Sequence, residues 1–163
     1  MERLILLRHG KAESEAPSGE DFDRALTERG ERDSAIVALA LAQAGVAPDL
    51  VIVSPAARAR QTWEAMAYIF PAAEVVYART LYNAEPDTIL AEAQTRGREE
   101  PTVMVVAHNP GLHQLALVLA HRMPESPDRK QLNAGFPTGA AAVLDLKAQR
   151  FSLFAPKALG GGV

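Results

Sequence analysis

Aliphatic residues fall in short runs along this chain, and the stretches between the runs repeat their apolar positions every three or four residues. The runs are "RLILL" (3–7), "LVIV" (50–53), "EVVY" (74–77) and "TVMVVA" (102–107). Brief runs with neighbouring apolar side chains predict strands buried on both faces. The intervening stretches predict helices over 27–44, 55–69, 86–96 and 110–122, the third closed by Gly97. Two later segments, "AAAVLDL" and "RFSLFA", are joined by a short polar turn and predict an antiparallel hairpin at one edge of the sheet. Strands alternating with helices imply a three-layer α/β/α sandwich around a mostly parallel sheet. The polar, proline-containing segment 122–139 is expected to be a long loop, residues 1–157 a single domain, and residues 158–163 a flexible tail.

Composition narrows this picture. A chain of 163 residues, 48% hydrophobic and 23% charged, is that of one folded domain with a proper core. Its net charge of −3 leaves no broad basic face for a nucleic-acid backbone. With no cysteine there is no disulfide framework, thiol nucleophile or thiolate metal site. The first strand is entered by residue 4 with no basic and apolar leader before it, so no secretory signal is expected and the cytoplasm is the expected location. The longest apolar stretches, "AIVALALA" and "LALVLA", fall far short of the ~20 residues that cross a bilayer, so no membrane partner is expected.

The chemistry lies where the aliphatic runs stop. Arg8 and His9 follow the first run, Arg58 sits at the start of the helix after the second, and His108 stands directly after the fourth. In an open parallel sheet, ligands bind beyond the carboxyl ends of the strands, which is where these four should converge. Two guanidiniums and two imidazoles in one pocket suit a phosphoryl group, since arginine offers a planar fork of donors to its oxygens. Ser54-Pro55 and Asn109-Pro110 each pair a good N-cap residue with a proline, marking helix starts whose N–H groups would add to the cradle. Asn109 is therefore a candidate substrate-binding residue, while Ser54 is first of all a cap. A neutral His9, held by a neighbouring carbonyl, is the candidate nucleophile for in-line attack on phosphorus, with Arg8, Arg58 and His108 neutralising the equatorial oxygens. Arginines around the histidines would repel a metal cation, so neither a metal nor another cofactor is expected. Arg60 suits a solvated helix face, and His113 and His121 suit structural or surface roles. Lys11 and Glu13 either line the entrance or belong to a solvated loop.

The segments "LLRHGKAE", "SPAARARQT" and "VVAHNPGL" resemble the three signature segments of the histidine phosphatase superfamily, with its phosphoglycerate-mutase-like fold. The short chain, the "DFDRALTERG" segment at 21–30 and "HNPGL" resemble its SixA-type phosphohistidine phosphatases, and the likeness runs from residue 3 to about residue 155. It implies that His9 is the phosphorylated residue, that Arg8, Arg58 and His108 complete the phosphate pocket, and that no metal takes part. The larger, mutase-like members carry a glutamate that protonates the leaving alcohol; here "LYNAE" places Asn83 in that position. Glu85, two residues on, is the candidate partial donor.

Expelling an alkoxide, whose conjugate acid has a pKa near that of water (~15.7), demands a positioned acid. A phosphorylated imidazole takes its proton from solvent on the other nitrogen at a pKa of about 6.5. The missing acid therefore favours a nitrogen–phosphorus bond, and the expected function is a phosphohistidine phosphatase whose partner is a phosphohistidine-containing signalling or phosphotransfer protein. A general small-molecule phosphomonoesterase and a non-catalytic phosphate- or phosphopeptide-binding module stand as the alternatives.

Overall fold

Four strands form on the four aliphatic runs: β1 (Arg3–Arg8), β2 (Leu50–Val53), β3 (Glu74–Tyr77) and β4 (Thr102–Ala107). The structure, a computed structural model, describes all residues 1–163. β5 (Ala141–Asp145) and β6 (Arg150–Phe154) complete one sheet of order β3-β2-β4-β1-β5-β6. The first four strands are mutually parallel, and β5 runs antiparallel to both β1 and β6, which is the expected edge hairpin.

Alternation along each central strand divides the core in two. Leu4, Leu6, Ile52, Val103 and Val105 face α3 (Pro86–Arg96), α4 (Gly111–Ala120) and α5 (Pro127–Ala134). Ile5, Leu7, Val51, Val53 and Val106 face α1 (Glu28–Gln43) and α2 (Ala57–Met66), where Leu41, Trp63 and Met66 cover them. Consecutive strand residues are thus buried on opposite sides, each fully covered aliphatic contributing about 1.5–3 kcal/mol. The architecture is the expected α/β three-layer sandwich.

Three local expectations need correction. Segment 122–139 is not all loop, because it contains α5. Its eight residues "PDRKQLNA" carry one core leucine, Leu132, too few to show a helical period, yet Ser126 Oγ caps the helix by accepting Arg129 N–H at 3.2 Å. The helix expected from residue 55 begins at Ala57, and Ala56 in the cap position makes no side-chain bond. The helix expected from residue 110 begins at Gly111, after a cis Asn109-Pro110 peptide. Neither Ser54 nor Asn109 is a helix cap, and both side chains are engaged elsewhere.

Residues 158–163, expected as a flexible tail, make contacts with α1. Gly162 N–H donates to the buried Asp33 Oδ1 at 2.8 Å, and Arg32 Nη2 donates to the Val163 carbonyl at 3.1 Å. No helix is long and apolar enough to cross a membrane.

The register places the site. Val53 and Leu7 both lie opposite Val106, so β2, β4 and β1 end side by side. The chain leaves these three ends as Ser54, His108 and His9.

Candidate active site

His9 is the first residue beyond β1, free of the strand alternation that would have turned it away from Arg8. Its backbone is fixed on two sides, by its N–H to the Ala107 carbonyl at 3.2 Å and by Gly139 N–H to its own carbonyl at 2.9 Å. The imidazole Nδ1 lies 2.8 Å from the Gly10 carbonyl, which accepts only, so Nδ1 carries the proton. Nε2 then holds the lone pair, and Arg58 Nε–H donates to it at 3.3 Å. The loop carrying Gly10 is pressed against the first turn of α1, where a Cβ on Gly10 would sit 2.8 Å from the Gly30 carbonyl oxygen. Two glycines meeting here allow a close approach that side chains would prevent.

Thr62 locks this geometry from α2. Its hydroxyl donates to the Arg58 carbonyl at 2.7 Å and accepts Gly10 N–H at 2.9 Å, tying the helix that carries Arg58 to the loop that orients His9. Sequence reasoning gave Thr62 no role, although it closes the quoted segment "SPAARARQT".

His108 faces His9 with ring centroids 5.2 Å apart. Its Nε2 lies 2.7 Å from Ser54 Oγ, which is already approached by Ala56 N–H at 3.4 Å. The buried serine hydroxyl has no acceptor other than this ring nitrogen, so it gives its proton to Nε2, leaving the His108 proton on Nδ1. That Nδ1 is buried without a partner, as is Arg8 Nε. Arg8 Nη1 and Asn109 Nδ2 both donate to the Phe136 carbonyl, at 3.0 and 2.9 Å. Two orphan N–H donors at neighbouring strand ends are costly unless an acceptor arrives, and an oxyanion supplies one.

Electrostatics keep both imidazoles neutral. His9 and His108 are 8% and 4% exposed, and burial is the main reason their pKa values fall to about 4 and about 3. The positive charges of Arg58 and Arg8 push both further down, while the Gly10 carbonyl partly offsets the fall at His9 and the Asp21 carboxylate does so at His108. Burial also lowers the pKa of Arg8. The result is an uncharged nucleophile inside a ring of cationic donors, a chemistry that receives an anion.

Two residues at the mouth were not anticipated. Asp21 accepts from Arg58 Nη2 at 3.1 Å through Oδ2, from Tyr82 OH at 2.6 Å on the same oxygen, and from Arg24 Nε at 2.9 Å through Oδ1. Tyr82 packs its ring edge-on to His108 at 5.6 Å. The signals were present, Asp21 opening "DFDRALTERG" and Tyr82 standing beside Asn83 in "LYNAE".

The structure brings together His9, Arg8, Arg58 and His108. Asn109 joins them through the shared Phe136 carbonyl. Glu85 is exposed in the cap position of α3 and makes no hydrogen bond to any of the four. Lys11 is exposed, and its carbonyl accepts Thr27 Oγ1 at 2.9 Å. His113 and His121 bond to the carbonyls of Leu132 and Leu117, at 2.8 and 2.7 Å, in structural roles.

Comparison with known proteins places the chain among relatives of one family and fold. The profile of the histidine phosphatase superfamily (branch 1) matches residues 4–83. An uncharacterized protein of Mycobacterium tuberculosis H37Rv is 36% identical over 140 residues, covering 85% of each chain. Among solved structures, a candidate phosphohistidine phosphatase SixA from Agrobacterium tumefaciens is 37% identical with a TM-score of 0.81, covering 94% of this chain and 97% of that one. The protein histidine phosphatase SixA in complex with tungstate is 28% identical with a TM-score of 0.73, covering 96% and 99%.

Proposed function

The chain belongs to the histidine phosphatase superfamily and is a phosphatase, and from that premise we propose that it hydrolyses protein phosphohistidine through a covalent phosphohistidine on His9. The observation that carries the proposal is the tautomer of His9: Nδ1–H on the Gly10 carbonyl at 2.8 Å, with the Nε2 lone pair turned to the phosphate donors.

In the first step Nε2 attacks phosphorus, and the bond from phosphorus to the substrate breaks with its electron pair going to the leaving nitrogen. His9 then carries phosphate on Nε2 and a proton on Nδ1, a cation stabilised by the Gly10 carbonyl. In the second step water attacks phosphorus and the P–Nε2 electrons return to Nε2, restoring the starting tautomer. His9 neither gains nor loses a proton, so no acid is needed to protect or release it. Arg8 Nε–H, His108 Nδ1–H and the free N–H groups of Arg58 are the donors for the equatorial oxygens. Each preorganised donor of this kind is worth about 3–4 kcal/mol in the transition state.

Three features support phosphohistidine as the substrate: the resemblance to SixA proteins, Asn83 where larger members carry their acid, and an exposed Glu85 away from the four. The test is a brief incubation with a 32P-labelled phosphohistidine peptide. Acid-labile label on the wild-type chain, absent from His9→Ala, with release of inorganic phosphate, is the expected result. Turnover of aryl and sugar phosphates without turnover of the peptide would instead make the chain a general phosphomonoesterase.

A further inference from the structure

We propose that Asp21 sets substrate choice at this site, its carboxylate pairing with the positively charged leaving portion of N-phosphorylated substrates and disfavouring phosphate esters. The inference rests on the phosphatase reading above and adds to it a residue and a class: imidazolium, ammonium and guanidinium phosphoramidates rather than esters.

A single guanidinium links the two halves of the site. Arg58 reaches inward with Nε to His9 Nε2 and outward with Nη1 to the Asp21 carbonyl at 2.9 Å and Nη2 to Asp21 Oδ2 at 3.1 Å. Asp21 is therefore one guanidinium away from the attacking nitrogen, yet its side chain is 51% exposed, so it faces what enters the mouth. Tyr82 and Arg24 hold the carboxylate in place through further hydrogen bonds at 2.6 and 2.9 Å. These partners keep the Asp21 carboxyl well below the usual carboxylate range, so it is an anion at neutral pH and no proton donor. The same hydrogen bond raises the Tyr82 phenol, which stays protonated and donating.

Asp21 also lines a neighbouring cavity of about 460 Å³, together with Ser14, Glu15, Glu20 and Arg24 among others. Its three carboxylates meet two guanidiniums, Arg24 in its wall and Arg58 behind Asp21, and Arg24 is already bonded to Asp21 and to the Glu13 carbonyl, so the balance stays negative. The two sides of Arg58 thus differ in sign, with the orphan donors of Arg8 and His108 on the His9 side and carboxylates on the Asp21 side. A phosphate ester places an oxygen that gains negative charge, and often further anions, toward the acidic side. A phosphoramidate protonated on its leaving portion places a cation there. For phosphohistidine that cation is the reactive species: Nε2 of His9 attacks, the N–P electron pair passes to the imidazolium, and a neutral imidazole leaves with the proton it already held. A fixed anion nearby raises the fraction of substrate in this protonated form.

The experiment compares kcat/KM of the full chain and Asp21→Asn on a phosphohistidine peptide, 4-nitrophenyl phosphate and 3-phosphoglycerate. The variant is expected to lose on the peptide and gain on the two esters, so that the peptide-to-ester ratio falls about tenfold. Asp21→Glu, which keeps the charge, should retain most of the ratio, and Tyr82→Phe, which removes one hydrogen bond from Asp21, should move it in the same direction as Asp21→Asn by less. A ratio within threefold of wild type in Asp21→Asn, or losses by one common factor on all three substrates, overturns the proposal. Should Asp21→Asn not fold, Tyr82→Phe decides on the same criterion of direction, any fall supporting and no fall overturning. Failure of the wild type to hydrolyse the peptide at all would overturn the phosphohistidine reading instead, and the two outcomes are distinct.

Discussion

The chain contains the dipeptide Ser-Pro twice, and it does two different things. At Ser126-Pro127 the serine hydroxyl accepts Arg129 N–H, proline occupies the first turn, and α5 starts at once. At Ser54-Pro55 the hydroxyl lies 2.7 Å from His108 Nε2, and α2 starts only at Ala57 with no side-chain cap. Location decides between them. Ser126 precedes a supporting helix on the outside of the sheet, where the best partner for its hydroxyl is the orphan N–H of the next turn. Ser54 leaves β2 beside β4, where the buried His108 imidazole offers a stronger competitor. Capping energy of about 1 kcal/mol is given up so that a pocket donor is fixed in one tautomer.

The largest effect should follow from removing that diversion. Ser54→Ala leaves His108 free to carry its proton on Nε2, away from the anion, and kcat/KM should fall about a hundredfold, near the lower end for loss of one preorganised donor. The fall should lie in kcat more than in KM, since His108 matters most as charge builds on the oxygens, and Ser54→Thr, which keeps the hydroxyl, should recover most of it. If Ser54→Ala loses no more activity than Ser126→Ala, the two dipeptides are equivalent and the tautomer argument fails. A smaller loss, about tenfold, is expected of Thr62→Val, which leaves Gly10 N–H buried without its acceptor and loosens the carbonyl that orients His9.

The two dipeptides also show why some of the molecule was legible in its sequence. Strands β1, β2 and β4 could be read because strands buried on both faces leave unbroken aliphatic runs, whereas β3, a half-covered edge strand, left only the two valines of "EVVY"; the ends of the buried runs located Arg8, His9 and His108. Arg58 was readable from its distance beyond the second run. Helix α5 was not, because one leucine, Leu132, anchors it and a single apolar residue has no period. Asp21 and Tyr82 were missed for a related reason. They reach the site from a short turn over Asp21–Asp23 and from the connection before α3, segments whose course is set by tertiary contacts rather than by local pattern. The serine hydroxyls sit between these cases: the residue type announces a polar partner, but only the fold says which.

Acid should separate the two regions further. His9 and His108 titrate at about 4 and about 3 in the folded chain, against 6.5 when unfolded. Between those values the unfolded chain binds more protons, so the stability tied to the neutral pair is complete above about pH 6.5 and is lost as pH falls through about 4 for His9 and about 3 for His108. Melting temperature should therefore decline over that interval, and His108→Asn should flatten the decline. Activity on a fixed substrate should fall as His9 protonates near pH 4, well below the range expected for an exposed histidine. Ser126→Ala should shift the whole melting curve without changing its pH dependence, since its partner does not titrate. A decline left unflattened by His108→Asn would mean that carboxylates, not the buried imidazoles, dominate acid lability.

The smallest expected effect is the most diagnostic of ordinary structure. Ser126→Ala removes the cap from α5 and should cost about 1 kcal/mol. For a chain of this size that is about 2–4 °C in melting temperature. Below the transition, kcat/KM should stay within about twofold of wild type, the size of change a lost cap leaves when the helix still packs. The reason lies in how α5 meets the site. Leu132 is fully buried, His113 bonds to its carbonyl at 2.8 Å, and Phe136 just beyond the helix offers the carbonyl that Arg8 and Asn109 share. Those contacts hold the C-terminal end of the helix, whereas Ser126 holds the N-terminal end, so fraying begins at the end remote from Arg8. A loss of activity beyond twofold would show that the frayed first turn is felt at Phe136. Arg8 would then be positioned by the whole helix, not only by its last turn.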